Sequence, residues 1–324
     1  MIYRHWNGLS VGDFGFLNTL SGIFAHAEER YPGVIPDLRS AKQLFVGSDY
    51  GGEHKGAKYQ TVAFFVSDTA LCAAWHPLRE NVRVKTRLGR RRMAFKNLND
   101  SVRASALEAF LTAANVIPGI VVVFAVHKNV ISMFGSGEKI VPRTLDFEPL
   151  QSVSTPVAEK LLRVVHLLSL LIAGLSAPGQ HVLWVTDDDV IAANADRLRH
   201  LASALARVSS HLLRHNLGHL RVATTSQDKG DLSLEDLLAI PDIAAGGIAE
   251  VLSVMFPLGA PPNGMAFPRS ETASAKARKV MDWFADNTQS LRRMVIAVEE
   301  TSRPPKIRGT HLRFYGLRDH VHGV

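Results

Sequence analysis

The stretch that most constrains this chain is Gln43 to Asp68, QLFVGSDYGGEHKGAKYQTVAFFVSD. Two apolar runs, Leu44–Val46 and Val62–Val66, flank a polar turn rich in Gly and Lys, the pattern of a β-hairpin with a long connection. Asp49 stands where the first run stops being apolar. A carboxylate there sits at the rim of a sheet, held by a strand and open to solvent, which suits a metal ligand. Asp also commonly opens turns, and the stretch taken alone favours that reading. Two later segments shift the balance.

Before the hairpin, residues 1–40 read as a helical extension, with Phe14, Leu17, Leu20 and Phe24 at helical spacing and Tyr31-Pro32-Gly33 as its stop. After it, Leu78 to Asn99 reads as a basic connection. Asn99-Asp100-Ser101 then offers N-caps for a helix carrying Leu107, Phe110 and Leu111 on one face and ending near Pro118. Ile120 to Val126 (IVVVFAV) is a continuous β-branched run, as in a strand covered on both faces. A helix from about Val157 to Leu175, a strand His181–Thr186, a helix Ile191–Leu213 and a short strand Leu220–Ala223 follow. Ser233–Met255 is helical, with Pro241 near its middle. Gly259–Pro268 is a linker, Thr272–Arg293 a helix, and His311–Tyr315 a closing strand. An antiparallel opening followed by β-α-β-α units predicts an α/β fold with one mixed sheet flanked by helices. The expected domain spans 41–258, with 259–324 as a C-terminal extension packed on it.

Composition narrows the function classes. The chain has 324 residues, 46% of them hydrophobic, enough for a sizeable core. Its net charge is +7 and its pI is near 9.6, which leans towards a polyanionic partner. One cysteine, Cys72, excludes an intramolecular disulfide and a cysteine-built metal site; beside Ala73 and Ala74 it reads as a buried, inert thiol. The amino terminus lacks the apolar run of a signal peptide. The apolar stretch Lys160–Ser176 is interrupted by Arg163 and His166 and falls short of a membrane span. A cytoplasmic protein without a membrane segment is expected.

Asp187-Asp188-Asp189 follows the His181–Thr186 strand at once, and Asp242 lies in PDIAAGGIAEVL on an otherwise apolar helical face. Carboxyl ends of neighbouring parallel strands lie about 5 Å apart, so Asp49 and an acid of the Asp run are placed to share a cation. A buried lone Asp242 is costly unless paired or metal-bound. Clustered carboxylates repel unless one is protonated or a divalent cation sits among them. All-oxygen donors favour Mg²⁺ or Mn²⁺ over Zn²⁺.

With these residues in place the chain resembles the RNase H-like proteins grouped as domain of unknown function 3800, predicted metal-dependent nucleases. The resemblance covers roughly Leu44 to Leu252 and rests on four places: Asp49 with Gly51 and Gly52; MAFKNLND, with Lys96; VLWVTDD; and LSLEDLLAIPDIAAGGIAEVL. It implies an RNase H-like fold and a divalent-metal nuclease or phosphodiesterase. Asp49, Asp187 or Asp188, and Asp242 would be its metal ligands, with Lys96 as a further catalytic residue. The family often has Glu directly after the first Asp; here that position is Tyr50, with Glu53 the nearest acid. This departure favours the alternative of a catalytically silent module binding nucleic acid or a partner protein.

From Asn81 to Asn99 there are seven basic residues and no acid, among them Arg83, Arg90, Arg91 and Arg92. A solvated loop and a phosphate-binding strip are both open readings. Lys55, in the hairpin turn, is a further candidate contact to nucleic acid, although the turn lacks the Gly-Lys-Ser/Thr ending of a nucleotide-binding loop. His211, His215 and His219 recur every four residues without a nearby acid or Cys and read as surface or cap residues. No Gly-x-Ser-x-Gly elbow supports a hydrolase triad. Asp236, in the first turn after Ser233, reads as a solvated acid favoured by the helix dipole, and Asp242 as the more buried of the two.

Overall fold

The computed structural model describes residues 4–9, 12, 15–134, 154–187, 189–227, 230, 232–266, 273–286, 288–301 and 307–315. Phe14 and Asp188 lie outside them. The expected hairpin is formed by β1 (Gln43–Gly51) and β2 (Tyr59–Asp68), with Val46 opposite Val66 and Asp49 opposite Ala63. Asp49 is thus inside a strand rather than at the start of a turn. β3 (Gly119–His127) pairs antiparallel with β2, while β4 (His181–Thr186) lies parallel to β1 and β5 (Leu220–Thr224) parallel to β4. Beyond the two-residue β6 (Met265–Ala266), β7 (Leu291–Glu300) joins parallel to β3, and β8 (Ile307–Phe314) closes antiparallel to β7, with β6 on its outer side. The strand order is β5-β4-β1-β2-β3-β7-β8-β6. The protein is therefore α/β: a mixed sheet of seven strands, with β6 at its edge, between two helical layers.

Side-chain alternation sorts the core. Leu44, Val46, Val62, Phe64, Val122 and Phe124 face α1 (Gly15–Arg30), α4 (Thr155–Leu175) and α5 (Ala195–Leu212). The other helical layer comprises α2 (Trp75–Lys85), α3 (Ser101–Ala114), α6 (Ser233–Met255) and α7 (Ala275–Ala285), against Phe45, Ala63, Phe65, Val121, Val123 and Val185. Strands covered on both faces have no polar side to show, which is why β3 reads as an unbroken apolar run. Asp100 caps α3 by accepting from the Arg103 N–H at 2.9 Å, as its sequence signals.

Two elements depart from expectation. The segment read as a basic connection from Leu78 contains α2, which buries Trp75, Arg79, Val82 and Arg83; Pro77 sits in its first turn, where a missing N–H costs nothing. The helix expected over Thr272–Arg293 ends at Ala285. Asp286 accepts from the Thr288 N–H and hydroxyl, and the chain re-enters the sheet as β7. The C-terminal segment accordingly adds β7 and β8 to the same sheet. Among the described residues α6 is the helix long and apolar enough to cross a membrane, and most of it is buried.

Candidate functional site

α6 runs along β1, and small residues set the distance. A Cβ built on Gly47 would lie 2.9 Å from Leu238 Cδ2, and one on Gly51 would lie 2.8 Å from the carbonyl carbon of Ala245. Thr61 Oγ1 donates to the Ala245 carbonyl at 2.9 Å, fixing the helix to β2 as well. Alternation places Asp49, between these two glycines, on the face towards α6. It meets the turn of helix between Leu238 and Ala245, which carries Asp242. Val185 of β4 packs in the same helical layer, so Asp187, two residues on, leaves the sheet on that side. Asp49, Asp187 and Asp242 are thereby gathered at the carboxyl edge of the parallel strands.

Their charges register on one another. The Asp49 carboxyl is pushed well above the usual carboxylate range, first by burial and then by Asp242 and Asp187, while the Tyr50 N–H donates to it at 2.6 Å and opposes the rise. Burial raises Asp242 to about 6, with Asp187 adding to the rise; the Phe95 N–H at 2.7 Å, Lys96 and Lys276 pull it back. The Phe95 amide reaches Asp242 because Gly246, one turn further along α6, leaves space for the Phe95 ring. Lys276 donates to the Phe95 carbonyl at 3.2 Å and lies 4.4 Å from its ring. On the other flank Lys160 bridges Asp189, at 2.9 Å, and Glu53, and its Nζ lies 4.3 Å from the Tyr50 ring. Asp187 itself is exposed and accepts a long bond from the Thr225 hydroxyl at 3.4 Å.

Among the described residues no group of three or more His, Cys, Asp or Glu side chains is arranged to hold a metal ion. The charges of Asp187 and Asp242 reach Asp49 without the three closing a cage. Mg²⁺ is commonly held by one or two carboxylates, several waters and substrate phosphate oxygens, and the donor chemistry of Asp49 with Asp242 fits that mode.

The remaining candidates divide. Lys96 is exposed, and its charge acts on Asp242. Lys55 is exposed in the hairpin turn. Arg90 and Arg91 are exposed on the segment leading to Phe95, and Arg92 is exposed but paired with Glu235. Arg83 belongs to no surface strip: its Nε and Nη2 donate to Asp236 at 2.6 Å each, and Arg79 Nε donates to the same carboxylate at 2.6 Å. Asp236 is 1% exposed, so the expectation of a solvated acid is overturned, as is the ranking that made Asp242 the more buried. The physical reason is α2, whose arginines supply the charge a buried carboxylate requires. His211 is exposed, His215 bonds Ser176 and His219 stacks on His181, consistent with surface roles. Cys72 is buried, and burial pushes its thiol up to about 11. Lys160, Asp189 and Lys276 escaped the sequence reading. Asp189 was visible as the last of its acidic run, whereas the lysines carried no local signal. No family model matches this sequence, and a search of curated proteins finds no match to it.

Proposed function

We propose that this protein is a divalent-metal-dependent nuclease or phosphodiesterase of RNase H-like architecture acting on nucleic acid. The observation that carries the reading is the Asp49–Asp242 pair, two carboxyls pressed together by β1 and α6 at a sheet edge, with Asp187 beside them and lysines around them. Strand order supports it. An antiparallel β1-β2-β3 unit is extended on the other side of β1 by parallel β4 and β5, in keeping with the hairpin followed by β-α-β-α units expected from the residues.

Asp49, Asp242 and Asp187 would hold Mg²⁺ or Mn²⁺, with Asp188 a further acid of the same run. When bound, such an ion activates water and stabilises the leaving oxygen of a phosphodiester. The protein's own part is positional. The amides of Tyr50 and Phe95 orient the carboxylates. Lys96 and Lys276 stand on the Asp242 side to hold phosphate oxygens, and Arg90 and Arg91 extend the positive surface along the approaching segment. The test is cleavage of labelled single- and double-stranded DNA and RNA with Mg²⁺, with Mn²⁺ and with EDTA. Metal-dependent cleavage by the wild type that is lost in Asp242→Asn supports the reading. Absence of cleavage of all four substrates refutes it.

A second reading, a silent module that binds nucleic acid, is favoured by Tyr50 where the resemblance calls for Glu and by the lack of a closed ligand cage among the described residues. It predicts nucleic-acid binding indifferent to Mn²⁺ and to Asp242→Asn.

A further inference from the structure

At the carboxyl edge the acids fall into two pairs, one on each face of β1. Asp49 meets Asp242 on the α6 side. Tyr50, the next residue, packs with the layer of α1, α4 and α5. On that side stand Asp189 and Glu53, bridged by the ammonium of Lys160 from α4. The two pairs are neighbours: after burial, Asp242 and Asp187, the charge of Asp189 also raises the Asp49 carboxyl. An edge that carries Asp49, Asp187, Asp189, Asp242 and Glu53 repels itself strongly unless cations sit within it.

The Lys160 ammonium is held as a bound cation is held. Its Nζ lies 2.9 Å from Asp189 Oδ2, bonds Glu53, and stands 4.3 Å from the Tyr50 ring centre, so two carboxylates and the negative face of a ring surround one positive charge. Lys160 and Asp189 are each only 18% exposed, which sets this pair apart from mobile ion pairs at a surface. The partners are themselves fixed. The Tyr50 hydroxyl hydrogen-bonds Thr186 Oγ1 at 2.9 Å. The Asp189 N–H donates to the Asp187 carbonyl at 2.8 Å, and the Ala192 N–H donates to the Asp189 carbonyl at 2.8 Å. Two carboxylates converging on one point, with Glu53 open to water on the outer side, is also an arrangement that Mg²⁺ or Mn²⁺ accepts. Here that point belongs to a lysine.

We propose that Lys160 is a built-in cation that fills the second cation position of this edge, so that the protein binds a single divalent ion, at the Asp49–Asp242 pair. The single ion rests on the function proposed above; the role of Lys160 does not. A fixed ammonium neutralises Asp189 and Glu53 at any metal concentration and keeps them from competing for the ion between β1 and α6.

Counting the Mn²⁺ ions bound to the full chain, by calorimetry and by loss of the free-ion EPR signal, tests it. Lys160→Met, which keeps the length of the side chain and removes the charge, is expected to bind one more ion than the wild type. Lys160→Arg should bind the wild-type number, and the extra ion should vanish in Lys160→Met/Asp189→Asn. If Lys160→Met does not fold, Lys160→Gln replaces it and should show the same gain. A merely structural ion pair predicts no gain. The proposal is overturned if neither neutral variant gains an ion, if the extra ion persists in the double variant, or if the wild type already binds two. One ion on the wild type is the expected number. A wild type that binds none while Lys160→Met binds one would overturn the function proposed above and support the assignment of Lys160.

Discussion

Asp236 and Asp242 lie six residues apart on α6 and are held in opposite ways, so the same substitution should act differently on each. Asp236 has two arginine partners and almost no water. Asp236→Asn keeps the shape but leaves Arg79 and Arg83 buried without that counter-charge, and a broken buried ion pair costs about 3–5 kcal/mol; urea unfolding of the variant should show a loss of that size. Asp242 has no such ion pair and is instead raised to about 6 from 3.8, first by burial and then by Asp187. The folded state therefore holds its proton more tightly than the unfolded chain, and ionising it is a cost of folding. That cost is absent below the unfolded pKa and fully present above about pH 6, so this residue lowers stability as pH climbs between roughly 4 and 6, by on the order of 3 kcal/mol. Asp242→Asn should flatten that part of the stability–pH curve and, in metal-free protein, be neutral or stabilising. A wild-type slope retained by the variant would assign the titration elsewhere. If the site takes a divalent ion as proposed, binding must displace the same proton, so the Mn²⁺ affinity of the wild type should rise with pH through about 6, as calorimetry in two buffers of different ionisation enthalpy would show.

At the scale of elements, the site depends on how closely α6 approaches β1. Gly51 has no room for a methyl group: its Cβ would lie 2.5 Å from Thr61 Oγ1 and 2.8 Å from the backbone of Ala245. Gly51→Ala should cost about 1–3 kcal/mol by overpacking. Because it pushes the helix outward, it should also lower the apparent Asp242 pKa towards its ordinary value, detectable by NMR titration. This packing was largely legible in the sequence: the hairpin, β3, α4, β4 and α6 follow from runs of apolar residues bounded by turn residues and caps, and the small residues after Asp242 announced a close contact. α2 and β7 were not legible, for one shared reason. Both mix arginines into apolar sequence, in WHPLRENVRVK and LRRMVIAVEE, and a local reading assigns such charges to solvent. In the fold Arg79, Arg83 and Arg293 are buried because distant partners, Asp236 and Asn115, meet them there. The acidic site was legible as far as its residue types. The correct fate of Asp236 required α2, and Lys160 and Lys276 beside the site required the fold.

For the whole molecule, the net charge of +7 is a statement about partners only where the cations reach solvent. The seven basic residues between Asn81 and Asn99 do not act together. Arg83 is consumed in the core and Arg92 is paired with Glu235; of the arginines left exposed, Arg87, Arg90 and Arg91, the last two stand nearest in sequence to Phe95 and Lys96 beside Asp242. If they bind phosphates, each displaces counterions from nucleic acid, and removing either side chain should reduce the slope of log affinity against log salt by about 0.9 on duplex DNA. The double variant Arg90→Ala/Arg91→Ala is therefore expected to bind duplex more weakly at low salt and to bring the slope down by close to ~1.8, with the two binding curves converging as salt rises. Arg92→Ala should change the slope less than either single exposed substitution, because its charge is already partly neutralised, and should instead lower stability by about 1–3 kcal/mol, because the buried Glu235 carboxylate loses that counter-charge. Fluorescence anisotropy from low to moderate salt measures the slopes, and urea unfolding the stability. A double variant with the wild-type slope would make the segment a solvated connection and leave the lysines around Asp242 as the groups that hold phosphate.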